Sequence, residues 1–269
     1  MKLVDTHCHL DFDAYRDDLD QVLERAWEAD VERVLVPALD LTSSRRVLDL
    51  VESNPRLFAA VGVHPNRARE WTEGTPQALL ALSHHPKVKA IGEIGLDYYR
   101  DRAPRDLQKR VLKRQLTVAS QRGLPVVLHV RNANPDDRSC IIDLLDILAT
   151  WRREADQGVR AWVGVVHSFS GNVEEAQRAI SLGFALGVTG PVTFEKSTTM
   201  QEVVTSSPLT SLMIETDGPF LTPHPHRGKR NEPAYVKYVA EKVADLQDRP
   251  VREVGKVTTE NADHLFHWR

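Results

Sequence analysis

Seven side chains able to ligate a metal recur along this chain, each at the trailing end of a short apolar, β-branched run. His7 and His9 follow Lys2-Leu3-Val4, His64 closes Ala59-Ala60-Val61-Gly62-Val63, and Glu93 follows Val88-Lys89-Ala90-Ile91-Gly92. His129 ends Pro125-Val126-Val127-Leu128, His167 ends Trp162-Val163-Gly164-Val165-Val166, and Asp217 follows Leu212-Met213-Ile214-Glu215-Thr216. Apolar runs of this kind, separated by helical stretches, read as parallel strands whose C-terminal ends gather on one face of an α/β fold. Active sites of such folds are built on that face. Five imidazoles and two carboxylates collected there predict a metal centre.

Eight strands are expected, at Leu3–Thr6, Arg33–Pro37, Leu57–Val63, Val88–Glu93, Val126–Val130, Val163–Val166, Phe184–Val188 and Leu212–Glu215. Between them, Leu107–Arg122 is a charged amphipathic run stopped by Gly123 and then Pro125, the marks of a helix C-terminus. Asn172 precedes Glu174 and Glu175 as an N-cap precedes an acidic first turn, and Gly183 stands where that helix should end. The seventh helix, expected near Val203–Thr210, is short and weakly patterned. Eight strand–helix alternations in 269 residues fit an α/β fold of the (β/α)8 TIM-barrel type, which uses ~250 residues as one unit. A doubly wound sheet would carry a glycine-rich phosphate turn after its first strand, where this chain has Thr6-His7-Cys8-His9. No repeat or linker divides the chain, so residues 1–269 are expected to form one domain.

Composition narrows the function classes. A net charge of −3 gives no whole-molecule field to attract nucleic acid or membrane, so any such contact must be local. Two cysteines without a CxxC spacing argue against a disulfide framework. No apolar run approaches the ~20 residues of a membrane span, and a strand with two candidate ligands already occupies the first ten residues. A cytoplasmic protein with no membrane contact is expected, and no obligate protein partner is inferred.

His7 and His9 lie two apart, so on a strand both point the same way, into the barrel mouth, while Cys8 turns into packing. Together with Glu93, His129, His167 and Asp217 they make six candidate ligands, more than one catalytic ion with an open position requires. Six suit two divalent cations (Mg2+, Mn2+ or Zn2+) ~3.5–4 Å apart, bridged by a carboxylate and a hydroxide. Glu93, midway round the barrel, is the natural bridge. Asp217, on the last strand, closes beside His7 and His9 and can both touch one ion and take a proton from the attacking water.

These residues fall in blocks that resemble the TatD family of metal-dependent deoxyribonucleases, within the amidohydrolase-like superfamily. The blocks are Asp5-Thr6-His7-Cys8-His9-Leu10, Gly62-Val63-His64-Pro65, Gly92-Glu93-Ile94-Gly95-Leu96-Asp97, Pro125–His129, His167-Ser168-Phe169-Ser170-Gly171, Glu215-Thr216-Asp217-Gly218-Pro219 and Arg230-Asn231-Glu232-Pro233. The resemblance covers nearly the whole chain and implies a single (β/α)8 barrel with a two-metal centre. It implies His7, His9, Glu93 and Asp217 on one ion, and Glu93, His129 and His167 on the other. It also implies hydrolysis of DNA, exonucleolytic and foremost 3′–5′, on a free end or single strand. Ser168 and Gly218 depart from the family's usual Cys and Ala, and Leu112 stands where Phe is common; none of these is a candidate ligand.

His64 and Arg131 are expected to contact substrate phosphate, the latter through its planar donor fork. Arg230, in a cationic loop with His224, His226, Arg227 and Lys229, is expected to do the same. Arg100, Arg102 and Arg105 can extend that patch, and Tyr98, Tyr99 and Phe220 offer stacking surfaces for unpaired bases. No chemistry is expected of His84, His85, His264 or His267. The competing function is a small-molecule amidohydrolase or lactonase on the same barrel. Such enzymes often carry a bridging carboxylated lysine on the fourth strand, where this chain has Glu93. A non-catalytic scaffold is disfavoured because clustered buried imidazoles and carboxylates cost stability without ions.

Overall fold

Each of the eight apolar runs forms a strand in the computed structural model, which describes residues 1–154 and 162–268. The strands are β1 Leu3–Asp5, β2 Val31–Pro37, β3 Leu57–Val61, β4 Val88–Asp97, β5 Val126–Arg131, β6 Gly164–Val166, β7 Phe184–Val188 and β8 Leu212–Ile214. They pair in parallel, each with the next in sequence. The ring closes where Thr6 N donates to Ile214 O at 3.3 Å, Asp217 N to His7 O at 2.8 Å and His9 N to Gly218 O at 2.8 Å. This is a (β/α)8 barrel.

The helices outside it are α1 Leu19–Glu28, α2 Leu41–Glu52, α3 Thr75–Leu82, α4 Arg105–Arg122, α5 Ser139–Glu154, α6 Val173–Ser181, α7 Thr198–Ser206, α8 Val236–Gln247 and α9 Val251–Phe266. Asn172 caps α6 in a reciprocal box with Glu175, and Gly123 ends α4 at a left-handed φ of +62°. The weakly patterned α7 begins five residues before its expected start and stops before Pro208, which cannot continue a helix. Two helices follow β8, and α9 plugs the barrel floor. Its Ala262, Leu265 and Phe266 pack with inward residues of every strand, including Val4, Phe58, Val127 and Met213. Among the described residues no helix is long and apolar enough to cross a membrane.

Two glutamines on one face of α4 set the height of the strand ends. Gln115 accepts from Val63 N at 2.7 Å and donates to Val63 O at 2.9 Å, beside His64. Gln108 holds Asp97 the same way, accepting from its N at 2.8 Å and donating to its O at 3.0 Å. Asp5 fastens the seam between first and last strands. Fully buried, it accepts from Thr216 N at 2.9 Å, Thr216 Oγ1 at 2.5 Å and His7 N at 3.2 Å. Burial raises its carboxyl to about 7.

Candidate metal centre

At the open end of the barrel, β1 delivers His7 and His9 side by side, their Nε2 atoms 3.3 Å apart. Cys8 points the other way, buried beside Tyr15 and Gly218, as period-two geometry requires. Glu93 Oε2 lies 3.4 Å from His7 Nε2 and 3.6 Å from His9 Nε2. Asp217 Oδ1 completes the group, 3.8 Å from His7 Nε2 and 3.6 Å from His9 Nε2. Ligand atoms ~2.1 Å from a tetrahedral ion stand ~3.4 Å apart. Two imidazole nitrogens and two carboxylate oxygens at these separations fit a divalent metal in both donor type and spacing.

Glu93 has a second set of partners. Its Oε1 lies 2.8 Å from His129 Nδ1 and 3.6 Å from His64 Nε2. The carboxylate thus turns one oxygen to each group of imidazoles. Burial opposes its charge, but His64, His7 and His129 outweigh that and hold it ionised, well below the usual glutamate range.

Asp97 stands behind His129, its Oδ2 3.3 Å from Nε2 and also accepting from Asn66 Nδ2 at 2.9 Å. Flanked by two carboxylates, His129 titrates at about 9: burial pulls it down, and the bonds to Asp97 and Glu93 outweigh that. His167 is backed in the same way, its Nδ1 2.7 Å from buried Glu215 Oε1 and its Nε2 3.6 Å from Asp217 Oδ1. It rises to about 10, burial again being overcome, here by the charges of Glu215 and Asp217. A carboxylate behind an imidazole fixes the ring's tautomer and strengthens its opposite nitrogen as a ligand.

His167 was expected beside Glu93 and His129. The structure stacks its ring on that of His7, centroids 3.4 Å apart, and groups it with His7 and Glu215. Glu215 fits because β7 has a glycine opposite: a Cβ on Gly187 would overlap its carboxylate. Asp217 adopts a left-handed backbone with φ +56°, which a short polar residue tolerates better than most.

His64 stands with Glu93 and His129 closely enough to hold a metal, but its hydrogen bonding points to a donor. Its Nδ1 accepts from Asn66 N at 3.1 Å, which leaves the proton of the neutral ring on Nε2, facing Glu93. Burial, reinforced by nearby His129, lowers it to about 3, so the ring stays a neutral donor. Arg131 is exposed at the rim, its guanidinium 4.0 Å from the Tyr99 ring centre. Arg230 is engaged elsewhere. It donates to Asp18 through Nη1 at 2.7 Å and Nη2 at 2.6 Å, and to Ala14 O at 2.6 Å, lying over the Tyr15 ring. The neighbouring Glu232 grips Arg25 in the same bidentate way, and Asn231 Nδ2 donates to Thr216 O and Phe220 O. This block therefore locks the loop carrying Asp217 instead of presenting cations to a ligand.

Sequence reasoning gave no role to Asp97 or Glu215. A weak signal existed in both cases: Glu215 stands two residues from Asp217 and Asp97 four from Glu93, even spacings that strand alternation would turn to one side, although the expected strands stop at Glu215 and Glu93.

A family model described as TatD related DNase matches residues 4–267. The uncharacterized metal-dependent hydrolase YabD of Bacillus subtilis (strain 168) is 42% identical over 264 residues, 98% of this chain and 98% of that protein. The 3'-5' ssDNA/RNA exonuclease TatD of Citrobacter rodentium (strain ICC168) is 31% identical over 254 residues, 93% of this chain and 92% of its own. Among solved structures, the TatD homolog YJJV from Escherichia coli k12 matches with a TM-score of 0.88 and 32% identity, covering 98% of each chain.

Proposed function

Since the chain belongs to the TatD related DNase family and its relatives include metal-dependent hydrolases, we propose that it hydrolyses phosphodiester bonds in DNA, acting from an end of an unpaired strand. The observation that carries this reading is the division of Glu93, one oxygen toward His7 and His9, the other toward His129. A carboxylate so divided suits two divalent cations, with His7, His9 and Asp217 on one side of it and His129 on the other. His167, between His7 and Asp217, adds a nitrogen to the first group. Cations held there supply an acidified water and positive charge at the phosphate oxygens.

The protein's own groups do the rest. Asp217 takes the proton from the attacking water as the phosphorus–oxygen bond to the rest of the strand breaks, and that proton passes to the departing strand oxygen. His64 donates a hydrogen bond from its Nε2–H to a non-bridging phosphate oxygen, and Arg131 steadies the neighbouring phosphate. Asp97 and Glu215 keep the His129 and His167 rings turned correctly. The 3′–5′ direction is taken from the exonuclease relative.

The deciding experiment offers reconstituted protein end-labelled single- and double-stranded DNA beside a panel of lactones and amides, with bound metal counted on the same preparation. The expected result is stepwise shortening of the single strand at about two ions per chain. Turnover confined to the small esters or amides overturns the assignment, and one ion at saturation overturns the paired-cation arrangement.

A further inference from the structure

Phe220 is 51% exposed, although its backbone is held from both sides. Its N donates to Asp217 O at 2.8 Å, and its O accepts from Asn231 Nδ2 at 2.6 Å. A single exposed apolar residue is ordinary; one locked in place beside a metal centre is a surface kept ready. Its ring meets Phe12 edge to face, centroids 5.9 Å apart, and Phe12 stacks on His9 at 4.8 Å. Phe12, Phe220, Arg46, Arg67, Asp13 and Asp40 line a cavity of about 480 Å³, within the ~300–1,000 Å³ range of small-ligand sites, and Arg67 is paired with Asp40 and Glu70. Arg46 is fixed there by two hydrogen bonds to Asp11 Oδ2, at 3.2 and 2.6 Å. The Asp11 carboxylate is itself buried, and its Oδ1 has no hydrogen-bond partner among the described residues.

We infer that the cavity lined by Phe12 and Phe220 is a nucleobase subsite, which takes the base of the nucleotide whose phosphate lies at the His7–His9–Asp217 group. The inference rests on the phosphodiesterase reading and adds to it where the strand lies. The contiguity of the rings carries it. His9 touches the candidate ion site with one edge and Phe12 with its face, so a phosphate at the centre places its own base one ring away. Aromatic faces accept any unpaired base, and a fixed guanidinium beside them serves a base acceptor or the adjoining phosphate. A paired base cannot enter, because its hydrogen-bonding edge and its stacking faces are already occupied in the duplex. The subsite thus selects a frayed or single-stranded terminus.

The test removes the base from the substrate and the ring from the protein in turn. Binding of the metal-free protein to short fluorescent oligonucleotides is measured by anisotropy, and cleavage by the metal-loaded protein is measured beside it. Each substrate carries either a normal or an abasic nucleotide at the terminal position. In the parent the abasic substrate binds about tenfold more weakly, as the loss of one stacked base should give. In Phe220→Ala that penalty falls below about twofold, and in Phe220→Trp, which widens the stacking face, it is kept or enlarged. An equal penalty in parent and Phe220→Ala places the base elsewhere and overturns the subsite. So does the absence of any penalty in a parent that still binds and cuts DNA. A parent that neither binds nor cuts any oligonucleotide overturns the phosphodiesterase reading itself, and the subsite with it.

Discussion

Glu215 Oε1 lies 2.7 Å from His167 Nδ1, and nothing of Glu215 is exposed to solvent. The same oxygen accepts from Ser168 N at 2.6 Å, so the carboxylate fixes both the ring and the chain that bears it. Glu215→Gln keeps the shape and removes the charge. Losing the partner behind a metal-ligating histidine costs ~10–100-fold in affinity. Competition against a chelator should show a loss of that size for divalent ions, and a change below about threefold would make Glu215 a packing residue only.

Asp217 and His129 should separate on one pair of measurements. Asp217→Asn keeps an oxygen near His7 and His9 but cannot take a proton. It is expected to hold much of its metal while losing ~10²–10⁴-fold in turnover. His129→Ala removes a nitrogen from the other side of Glu93 and should lose metal, with partial rescue by excess Mn2+. An Asp217→Asn enzyme that stays metal-replete and active, with its acid limb unshifted, would refute the general-base role. Glu93→Gln should fail in both respects, since an amide cannot serve two cations as one anion.

Metal uptake should be proton-linked. With no ion present, His129 titrates at about 9 and His167 at about 10, so both rings carry an extra proton at neutral pH. A cation must displace those protons, so its affinity rises with pH until both values are passed and falls as pH drops below them. The metal-free fold changes in the opposite sense. These raised values contribute stability that is full below the unfolded histidine range, ~6.5, and fades as pH rises through 9 and 10. Calorimetric metal titration in buffers of different ionisation enthalpy should report proton release at pH 7. A heat independent of buffer would remove both assignments.

Arg230 should behave as a tie and not as a substrate contact. Arg230→Met loses the bidentate pair with Asp18, which is partly open to solvent, and so is worth about 1 kcal/mol or less. A slightly lower Tm with an unchanged KM for DNA is expected. The reverse, a raised KM at unchanged Tm, would return Arg230 to the substrate.

Much of the barrel is legible in the sequence because parallel strands covered on both faces are nearly continuous in apolar residues. The spacing of His7 and His9 reveals a shared direction because strand geometry is local. What stayed hidden depends on neighbours distant in sequence. His167 has Glu215 and His7 around it only once β6, β8 and β1 stand together, and strand order alone does not say which ring stacks on which. Asp97 reads as a loop residue after β4, yet β4 continues to it because Gln108 of α4 binds its backbone on both sides. Arg230 looks like one member of a cationic loop. Its engagement is visible only when Asp18, more than two hundred positions earlier, comes into view.

The seam fastened by Asp5 and Thr216 has a consequence for the order of events during synthesis. His7 and His9 follow the first of the eight strands to be made, and Asp217 follows the last, β8. Until that strand arrives and docks on β1, Asp217 cannot join His7, His9 and Glu93. A chain that stops before β8, however much of the barrel it has built, therefore lacks the Asp217 side of the candidate metal centre. The candidate centre is completed late, with the closing strand.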